Sequence, residues 1–400
     1  MNTDEILPLP EHQRSQEYQR RQADQRPLRV ALVIPTLDRG GAEKQLSLLA
    51  AGLPGHGIEP HVVLLTRDGP LRAPLEAANV PVTLIGKRFR ADPTAYFRLR
   101  NWIRDWKPDV VHTWLFAANA YGRHAAIRCK VPVVLGSERC VDLWKTQAHF
   151  VIDRYLAART EGITTNSAGV RGFYESHGID PNRIFVIANG IMPRKSVSIS
   201  REEACERLGV DHEKRLILSV GRLWPQKRYR DLIWAAELLG TLRGDTTYVV
   251  IGDGPQRGEL MRLRDALTKP EYVRFAGHRN DVAELLPHAD LFWNGSEYEG
   301  QSNSILEAMQ AGVCVVASNI PGNRDLIDDG LTGRFVEPGD KADFARVSNL
   351  LLASSDERSR LANAAREAVQ ERFTVSRMVA EHAALYQRIY ASKLLANGKK

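Results

Sequence analysis

The sequence of 400 residues has no long apolar run. Its longest uncharged stretches, such as residues 110–122, are shorter than the ~18 to 20 apolar residues that a membrane-spanning helix needs. The first 26 residues are rich in Gln, Glu and Arg and contain no apolar core, unlike a secretory signal peptide. We therefore expect a cytoplasmic protein without a spanning helix, beginning with a polar, disordered leader over residues 1–28.

Residue patterns for metal and dinucleotide binding are also missing. The four cysteines have neither close cysteine pairs nor histidines at metal-ligand spacing, which favours buried or inert thiols over a zinc site or a disulfide framework. The chain has no Asp-x-Asp sequence that could hold Mg²⁺ on a nucleoside diphosphate. The loop of residues 252–255 lacks the third glycine of a dinucleotide-binding loop, which would fall at Arg257. We expect no metal and no cofactor.

Charge is unevenly distributed along the chain. Residues 1–200 contain 27 Lys and Arg against 19 Asp and Glu, whereas residues 201–400 contain 28 against 29. The basic half suits phosphorylated substrates, anionic lipid head groups or nucleic acid as partners. No RNA-binding signature or basic-aromatic sheet motif is present, so nucleic acid is not an expected partner.

Strand and helix patterns alternate in two similar series. Apolar runs rich in β-branched residues are followed by turns and helical patterns, which is typical of βαβ units in a parallel sheet. The strands expected in the first series are Arg29–Pro35, His61–Leu65, Val82–Ile85, Asp109–His112, Val131–Gly136, Gly162–Asn166 and Ile184–Ile187. Those expected in the second are Arg215–Val220, Thr247–Ile251, Val273–Ala276, Leu291–Asn294, Val313–Ala317 and Gly333–Val336.

A change of composition separates the two series. Asn189-Gly190 is a turn dipeptide, and the polar segment Pro193–Ser200 is typical of a linker. We expect an α/β protein with two Rossmann-like, doubly wound parallel-sheet domains over residues 29–195 and 196–378. A C-terminal helix over residues 379–400 is expected to pack back on the first domain. Such sheets bind ligands at the carboxyl ends of their strands, which indicates the cleft between the facing domains.

The segment Asn294–Gly312 is the most informative part of the sequence. It begins at a strand end and enters a helix near Asn303, with Glu299 in the loop and Glu307 about one turn into the helix. Residues 302–304 offer backbone N–H groups without intrahelical partners, which suits a phosphate. A carboxylate beyond the phosphate can accept two hydrogen bonds from vicinal sugar hydroxyls. A helix-capping loop with solvated acidic side chains is the alternative.

Two other strand ends carry cations or glycines. Arg222 and Lys227 follow the strand Arg215–Val220, where two fixed cations can neutralise a diphosphate and stabilise its departure. Gly40 and Gly41 precede a helix and let the backbone approach a charged group closely. Ordinary surface cations and a tight turn are the plainer interpretations of these loops.

The motifs and their order along the chain resemble those of the retaining glycosyltransferases of family four, which have the GT-B fold. The shared elements are Gly40-Gly41, Asn189-Gly190, Gly221-Arg222 with Lys227, Gly252-Asp253-Gly254-Pro255, and Glu299 with Glu307 in EGQSNSILEAMQAG. The resemblance covers about residues 29 to 395, and the glutamate pair in its context is the most specific part.

The resemblance implies a role for each matched residue. Glu307 resembles the acceptor of the donor's ribose hydroxyls, and Glu299 resembles the acidic residue that faces the transferred sugar. Arg222 and Lys227 resemble the diphosphate-binding pair. The other implied substrate-binding residues are Gly300, Gln301, Ser302, Asn303 and Ser304 at the helix start, Gly277 and His278 in the base-contacting loop, and Gly40 and Gly41 in the opposite domain.

One position departs from the family. Many members have a histidine two residues beyond the histidine that ends the fourth strand, and Trp114 stands there in this chain. His112, at the expected strand end, is a candidate catalytic residue that can hydrogen-bond a sugar hydroxyl or the leaving phosphate. A structural histidine is the alternative. Trp114 is either a sugar-stacking surface or part of the core.

These observations predict a retaining, metal-independent glycosyltransferase. It would move a sugar from a nucleotide-diphosphate sugar, with the resemblance favouring uridine, to a hydroxyl of a glycan or lipid-linked saccharide. No carboxylate is convincingly placed as a nucleophile, so we favour a same-face route in which a phosphate oxygen accepts the acceptor's proton. The alternatives are an epimerase or phosphorylase on the same scaffold, or a non-catalytic nucleotide-sugar-binding protein.

The segment Lys87–Lys107 combines a basic start with aromatic and aliphatic side chains at helical spacing. We favour a crossover helix that packs this stripe on the sheet. The alternative is a helix on the inner membrane surface, which the basic N-terminal half would support and a lipid-linked acceptor would require.

Overall fold

The computed structural model describes residues 26–193, 199–267, 269 and 271–397. Within these residues, two parallel sheets are each covered by helices on both faces. Most of the expected leader and the middle of the expected linker, residues 194–198, lie outside the described residues. The described end of the leader, however, enters the fold, because Leu28 is the first residue of a strand.

The first sheet contains seven strands among the described residues, in the order β3-β2-β1-β4-β5-β6-β7. Each strand runs parallel to its neighbours. The strands are β1 (Leu28–Ile34), β2 (Ile58–Leu64), β3 (Val82–Leu84), β4 (Val110–Trp114), β5 (Val133–Glu138), β6 (Gly162–Thr165) and β7 (Ile184–Val186).

The second sheet, counted over the same part of the chain, has six parallel strands in the order β10-β9-β8-β11-β12-β13. Its strands are β8 (Arg215–Val220), β9 (Thr246–Ile251), β10 (Val273–Gly277), β11 (Leu291–Asn294), β12 (Cys314–Ser318) and β13 (Arg334–Val336). The expected fold class of two doubly wound parallel sheets is confirmed.

Helices connect the strands of both sheets. They are α1 (Gly41–Gly52), α2 (Arg72–Ala77), α3 (Pro93–Trp106), α4 (Phe116–Arg128), α5 (Gln147–Ala157), α6 (Ala168–Ser176), α7 (Arg201–Leu208), α8 (Tyr229–Arg243), α9 (Arg257–Leu267), α10 (Val282–Leu285), α11 (Asn303–Gln310), α12 (Pro321–Arg324), α13 (Lys341–Ala353), α14 (Ser355–Arg372) and α15 (Val375–Asn397). Among the described helices, none has the length and apolar character to span a membrane.

Strand β1 shows why these apolar runs form a buried parallel sheet. Residues 30–34 are fully buried, and alternate side chains enter different core clusters. One face packs against α1 and α15, and the other packs against α3 and α4. A central strand that is covered on both faces needs a continuous apolar sequence, because neither face is exposed to water.

The segment Lys87–Lys107 forms the expected crossover helix. In α3, Leu99 and Ile103 are buried in the cluster that covers the first sheet. Trp102 and Trp106 are partly buried against the same cluster, whereas Phe97 is exposed. The aromatic stripe is therefore mostly committed to the protein core, as expected for a crossover helix.

Both sheets change direction beside their first strand. β1 lies between β2 and β4, and β8 lies between β9 and β11. In a doubly wound sheet, such a switch point opens a crevice at the carboxyl ends of the strands because the two following loops diverge. The glycine loop follows β1, Arg222 follows β8 and Glu299 follows β11. The fold thus places three of the predicted motifs at crevices.

The chain passes twice between the two sheets. Ile191 and Thr374 pair where the outgoing and returning segments run side by side. Helix α14 packs on the second sheet, and α15 then packs on the first through Val379 and Tyr386. We propose that the chain is divided into two domains, residues 29–195 and 196–378, and a C-terminal segment, residues 379–400. Helix α15 begins slightly earlier, at Val375.

Candidate active site

The loop between β11 and α11 forms one wall of the cleft. Ser302 precedes α11 with an extended backbone, and no side chain caps the first turn. The first N–H groups of α11 therefore have no intrahelical partners and remain available to an anion. A Cβ atom at Gly300 would lie 1.9 Å from the carbonyl oxygen of Arg139 in the opposite wall. Only glycine allows the two walls to approach this closely.

Lys227 and Glu299 meet in this loop. The Lys227 ammonium forms an ion pair with Oε1 of Glu299, and the Ser296 hydroxyl donates to the same oxygen over 2.7 Å. Both charged side chains are largely buried. Two predicted catalytic residues from different strand ends are thus held against each other.

Glu307 is linked across the cleft to the other wall. Its Oε1 lies 2.5 Å from Nζ of Lys44, which is on α1 after the glycine loop. Both side chains are only partly exposed to solvent. The carboxylate that is predicted to accept sugar hydroxyls therefore faces the cleft, and in the free protein it carries an ammonium group as its partner.

The glycine loop touches the start of α11 directly. Asn303 Nδ2 donates to the carbonyl oxygen of Gly41 over 3.3 Å, and a Cβ at Gly41 would meet the same amide nitrogen at 3.2 Å. A Cβ at Gly40 would meet the Glu43 carboxylate at 2.0 Å. The two loops that the sequence assigned to opposite domains are thus in contact.

Arg222, in the loop after β8, lies close enough to Glu43 on α1 for its charge to act on that carboxyl group. Arg222 is exposed and its guanidinium lies 4.8 Å from the centre of the Trp224 ring. Burial raises the pKa of Glu43, while the hydrogen bond from Thr36 and the positive charge of Arg222 act in the opposite direction. Arg222 is free to turn toward an anionic ligand, because a ring face holds it rather than a carboxylate.

The predicted base-contacting loop lies near the glycine loop. Gly277 ends β10 with φ of +67°, a conformation that glycine adopts without strain. The ring of His278 forms a hydrogen bond with the guanidinium of Arg39, which precedes Gly40. Arg39 and His278 join the two walls at this end of the cleft.

His112 lies in the interior of the first domain. It lies inside β4, which continues to Trp114, and both side chains are fully buried. Nδ1 of His112 is 2.7 Å from the Tyr386 hydroxyl and accepts from the Trp114 indole, while Nε2 is 3.0 Å from Thr164 Oγ1. Both ring nitrogens are occupied, so His112 does not face the cleft. The structure supports the structural alternative for His112 and the core alternative for Trp114.

The burial of His112 predicts a pH effect on stability. Burial lowers the pKa of His112 well below its usual value, so the unfolded chain binds this proton more readily below about pH 6.5. Stability is then lost as the pH falls through 6.5. Below pH 6.5, the free energy of unfolding of His112→Gln should fall less steeply with decreasing pH than that of the original chain. We expect the two slopes to differ by about 1.4 kcal/mol per pH unit.

Urea denaturation of the original chain and of His112→Gln at several pH values measures both slopes. Taking their difference removes the contribution of the titratable groups that the two proteins share. Glycosyl transfer by folded His112→Gln should remain within a few-fold of the original rate. A loss of turnover without a change of slope would restore His112 as a catalytic residue.

A network that the sequence did not reveal joins the two walls at the start of α11. The Asn189 amide donates to Asn303 Oδ1 over 2.8 Å, and its backbone N–H donates to Gln301 Oε1 over 2.5 Å. Gln45 exchanges two hydrogen bonds of 2.9 Å with the backbone of Gly190. The sequence predicts a turn and a family motif at Asn189-Gly190, but not these contacts. The only sequence signal for Gln45 is its polar side chain among the apolar residues of α1.

A cavity of about 310 Å³ lies behind this network. Its lining includes Asn189, Gln301, Phe373 and Met378, and excludes Arg222, Glu299 and Glu307.

The described residues contain no group of three or more His, Cys, Asp or Glu side chains arranged to hold a metal ion.

Comparisons with known proteins identify the family of the chain. Residues 39–195 match the family model described as Glycosyltransferase Family 4, and residues 200–368 match Glycosyl transferases group 1. The chain is 27% identical over 268 residues to the UDP-Gal:alpha-D-GlcNAc-diphosphoundecaprenol alpha-1,3-galactosyltransferase of Escherichia coli, covering 63% of this chain and 67% of that one. It is 26% identical over 335 residues to the lipopolysaccharide core biosynthesis glycosyltransferase LpsE of Rhizobium meliloti, covering 84% and 92%.

A solved structure shares the same architecture. Anabaena Alr3699/HepE in complex with UDP-glucose superposes with a TM-score of 0.80 at 22% identity, covering 90% of this chain and 99% of that one. This likeness confirms the GT-B fold. With a glycosyltransferase model matching each half, the chain belongs to the GT-B glycosyltransferases of family four.

Proposed function

We propose that this glycosyltransferase uses a nucleoside-diphosphate sugar, preferably with uridine, and transfers its sugar with retention to a hydroxyl of a glycan or lipid-linked saccharide. The observation that carries the proposal is the ion pair between Lys227 and Glu299, in the loop that leads directly into the uncapped N-terminus of α11. The Escherichia coli relative is named for a UDP-galactose donor and a lipid-linked acceptor, and the Anabaena structure holds UDP-glucose.

The donor's charges suit the groups of the cleft. Its diphosphate would lie against the first N–H groups of α11, with Lys227 and Arg222 supplying positive charge from the loop after β8. Glu307 would accept hydrogen bonds from two ribose hydroxyls, and Lys44 would release it on binding. Glu299 would face the transferred sugar. The base would lie near Gly277 and His278.

The chemistry follows from these positions. The bond between the anomeric carbon and the diphosphate oxygen breaks as the acceptor oxygen forms its bond on the same face of the sugar. The acceptor's proton passes to the departing phosphate oxygen. Lys227, Arg222 and the α11 dipole stabilise the negative charge that grows on this oxygen. Because Glu299 is held by Lys227 and Ser296, we assign it to orienting the sugar and not to nucleophilic attack.

Charge stabilisation by side chains and a helix end supports a metal-independent reaction. Both family models describe glycosyltransferases, so the comparisons do not favour an epimerase, a phosphorylase or a non-catalytic binding protein.

Donor choice and stereochemistry can be measured without knowing the acceptor. We expect saturable calorimetric binding of a UDP-sugar and much weaker binding of GDP- and ADP-sugars. During slow hydrolysis of UDP-α-glucose, with water as the acceptor, proton NMR should detect the α-anomer first, and a chelator should not change the rate. Early appearance of the β-anomer would contradict retention, and preferential binding of another nucleotide would contradict the uridine assignment.

A further inference from the structure

The first domain contains three buried cations, and one of them lacks a carboxylate. Among the described residues, the buried lysine and arginine side chains are Arg123, Arg139 and Lys145. Lys145 lies 2.9 Å from Asp153 on α5 and 3.2 Å from Glu138, and Arg123 lies 3.6 Å from Asp153. No carboxylate of the described residues forms an ion pair with Arg139, which is 7% exposed. A buried charge without a partner is strongly unfavourable for folding, so its presence indicates a functional role.

Arg139 lies where the two walls of the cleft come closest. It follows β5, and its carbonyl oxygen is the atom that a Cβ at Gly300 would meet. Its guanidinium donates to Oδ1 of Asn189, and the Asn189 amide donates in turn to Oδ1 of Asn303 over 2.8 Å. Asn303 is the first residue of α11. The charge of Arg139 is therefore two hydrogen bonds away from the start of α11.

The surroundings of Arg139 keep it charged but supply no negative charge. Its guanidinium carbon lies 4.6 Å from the centre of the Trp114 ring, whose face attracts a cation. Burial lowers the pKa of Arg139 to about 9, which leaves the group charged at neutral pH. Burial also lowers the pKa of the nearby His382 to about 3, so this neighbour is uncharged. In the free protein, the positive charge of Arg139 is thus fixed and uncompensated.

We infer that Arg139 is a positioning residue that stabilises the donor's diphosphate at the start of α11 without touching it, through its charge and through Asn189. This inference rests on the proposed function, which places the diphosphate there. The bound diphosphate would supply the negative charge that Arg139 lacks. In a protein interior a charge acts over several ångströms, and it is most effective when further negative charge develops on the leaving group. Arg139 also occupies Oδ1 of Asn189, which keeps the amide of Asn189 directed at α11.

Three substitutions of Arg139 separate its charge from its hydrogen bond. Arg139→Met removes both and should weaken UDP binding and slow the hydrolysis of UDP-α-glucose at least about tenfold each, the order expected for one charge at several ångströms. Arg139→Gln keeps a donor for Asn189 without the charge and should resemble Arg139→Met. Arg139→Lys keeps the charge and should retain most of the affinity and rate. Calorimetry with UDP and turnover at saturating donor measure these effects.

Thermal melting of the free protein distinguishes this role from a structural one. Because its charge is uncompensated, Arg139→Met should melt at the same temperature as the original chain or above it. Arg123→Met is the matched control, since it removes a buried arginine that is paired with Asp153. This control should melt at a lower temperature and bind UDP like the original chain.

Each other outcome overturns the inference in a different way. Unchanged UDP affinity in Arg139→Met, with a melting temperature lowered as in Arg123→Met, would make Arg139 a structural link. Losses in Arg139→Met that are absent from Arg139→Gln would assign Arg139 to the orientation of Asn189 alone. In both cases the original chain still binds UDP, and the proposed function stands. No UDP binding by the original chain would overturn the proposed function and this inference together.

Discussion

Lys227→Ala is expected to lower kcat by about 10²–10³-fold, the range found when one preorganised donor to a developing oxyanion is removed. Lys227 is mostly buried beside Glu299 and lies in the loop after β8. Its charge is useful chiefly when the diphosphate departs, so kcat should fall more than donor affinity. Steady-state rates with a UDP-sugar donor, combined with calorimetric binding of UDP, separate the two effects.

Suitable controls exist for this substitution. Lys214→Ala removes a lysine at the amino end of β8, opposite the cleft edge, and should leave kcat unchanged. Arg222→Ala should show a similar loss to Lys227→Ala, since both side chains are proposed to neutralise the same diphosphate. Near-normal rates in both Arg222→Ala and Lys227→Ala would overturn the proposed stabilisation of the leaving group.

Glu307→Gln is expected to weaken UDP binding by about 10²-fold or more, because hydrogen bonds to a charged acceptor contribute about 1.5–3 kcal/mol each. Glu307 already faces the cleft and is held by Lys44 from the opposite wall. A carboxylate accepts from both vicinal hydroxyls of ribose, whereas a carboxamide presents one oxygen and one donor group.

A comparison of UDP with 2′-deoxy-UDP isolates this interaction. The original chain should prefer UDP strongly, and Glu307→Gln should lose most of this preference. Glu367→Gln, which changes an exposed glutamate on α14, serves as the matched control. An unchanged preference for UDP in Glu307→Gln would show that Glu307 does not contact the ribose.

The strand pattern was predictable because central parallel strands need continuous apolar runs. All expected strands are present, and their ends differ by a few residues. The boundary of β4 was wrong because pairing with β5 extends it to Trp114, opposite Ser137. That extension changes the environment of His112 from a strand end to the protein interior. Local sequence does not encode how far a neighbouring strand continues the ladder.

The motifs at strand ends were predictable for a related reason. Glycines, cations and the glutamate pair occur directly after strands, and parallel topology collects the carboxyl ends of strands at one edge. Their partners were not predictable, because Lys44, Gln45 and Asn189 are ordinary polar residues whose roles depend on the approach of the two walls. The inward position of Asp153 likewise depends on Lys145 and Arg123.

The amino-acid sequence by itself determined the two α/β sheets, the order of their motifs and the family, since apolar periodicity and strand-end residues are local properties of the chain. Tertiary structure alone decided which charges meet: Lys227 with Glu299, Lys44 with Glu307, and Asp153 with Lys145. It also decided that His112 is enclosed and that α5 turns apolar side chains to solvent. These features depend on contacts between segments that are distant along the chain. Such contacts form only when both sheets have folded and the two domains have packed against each other.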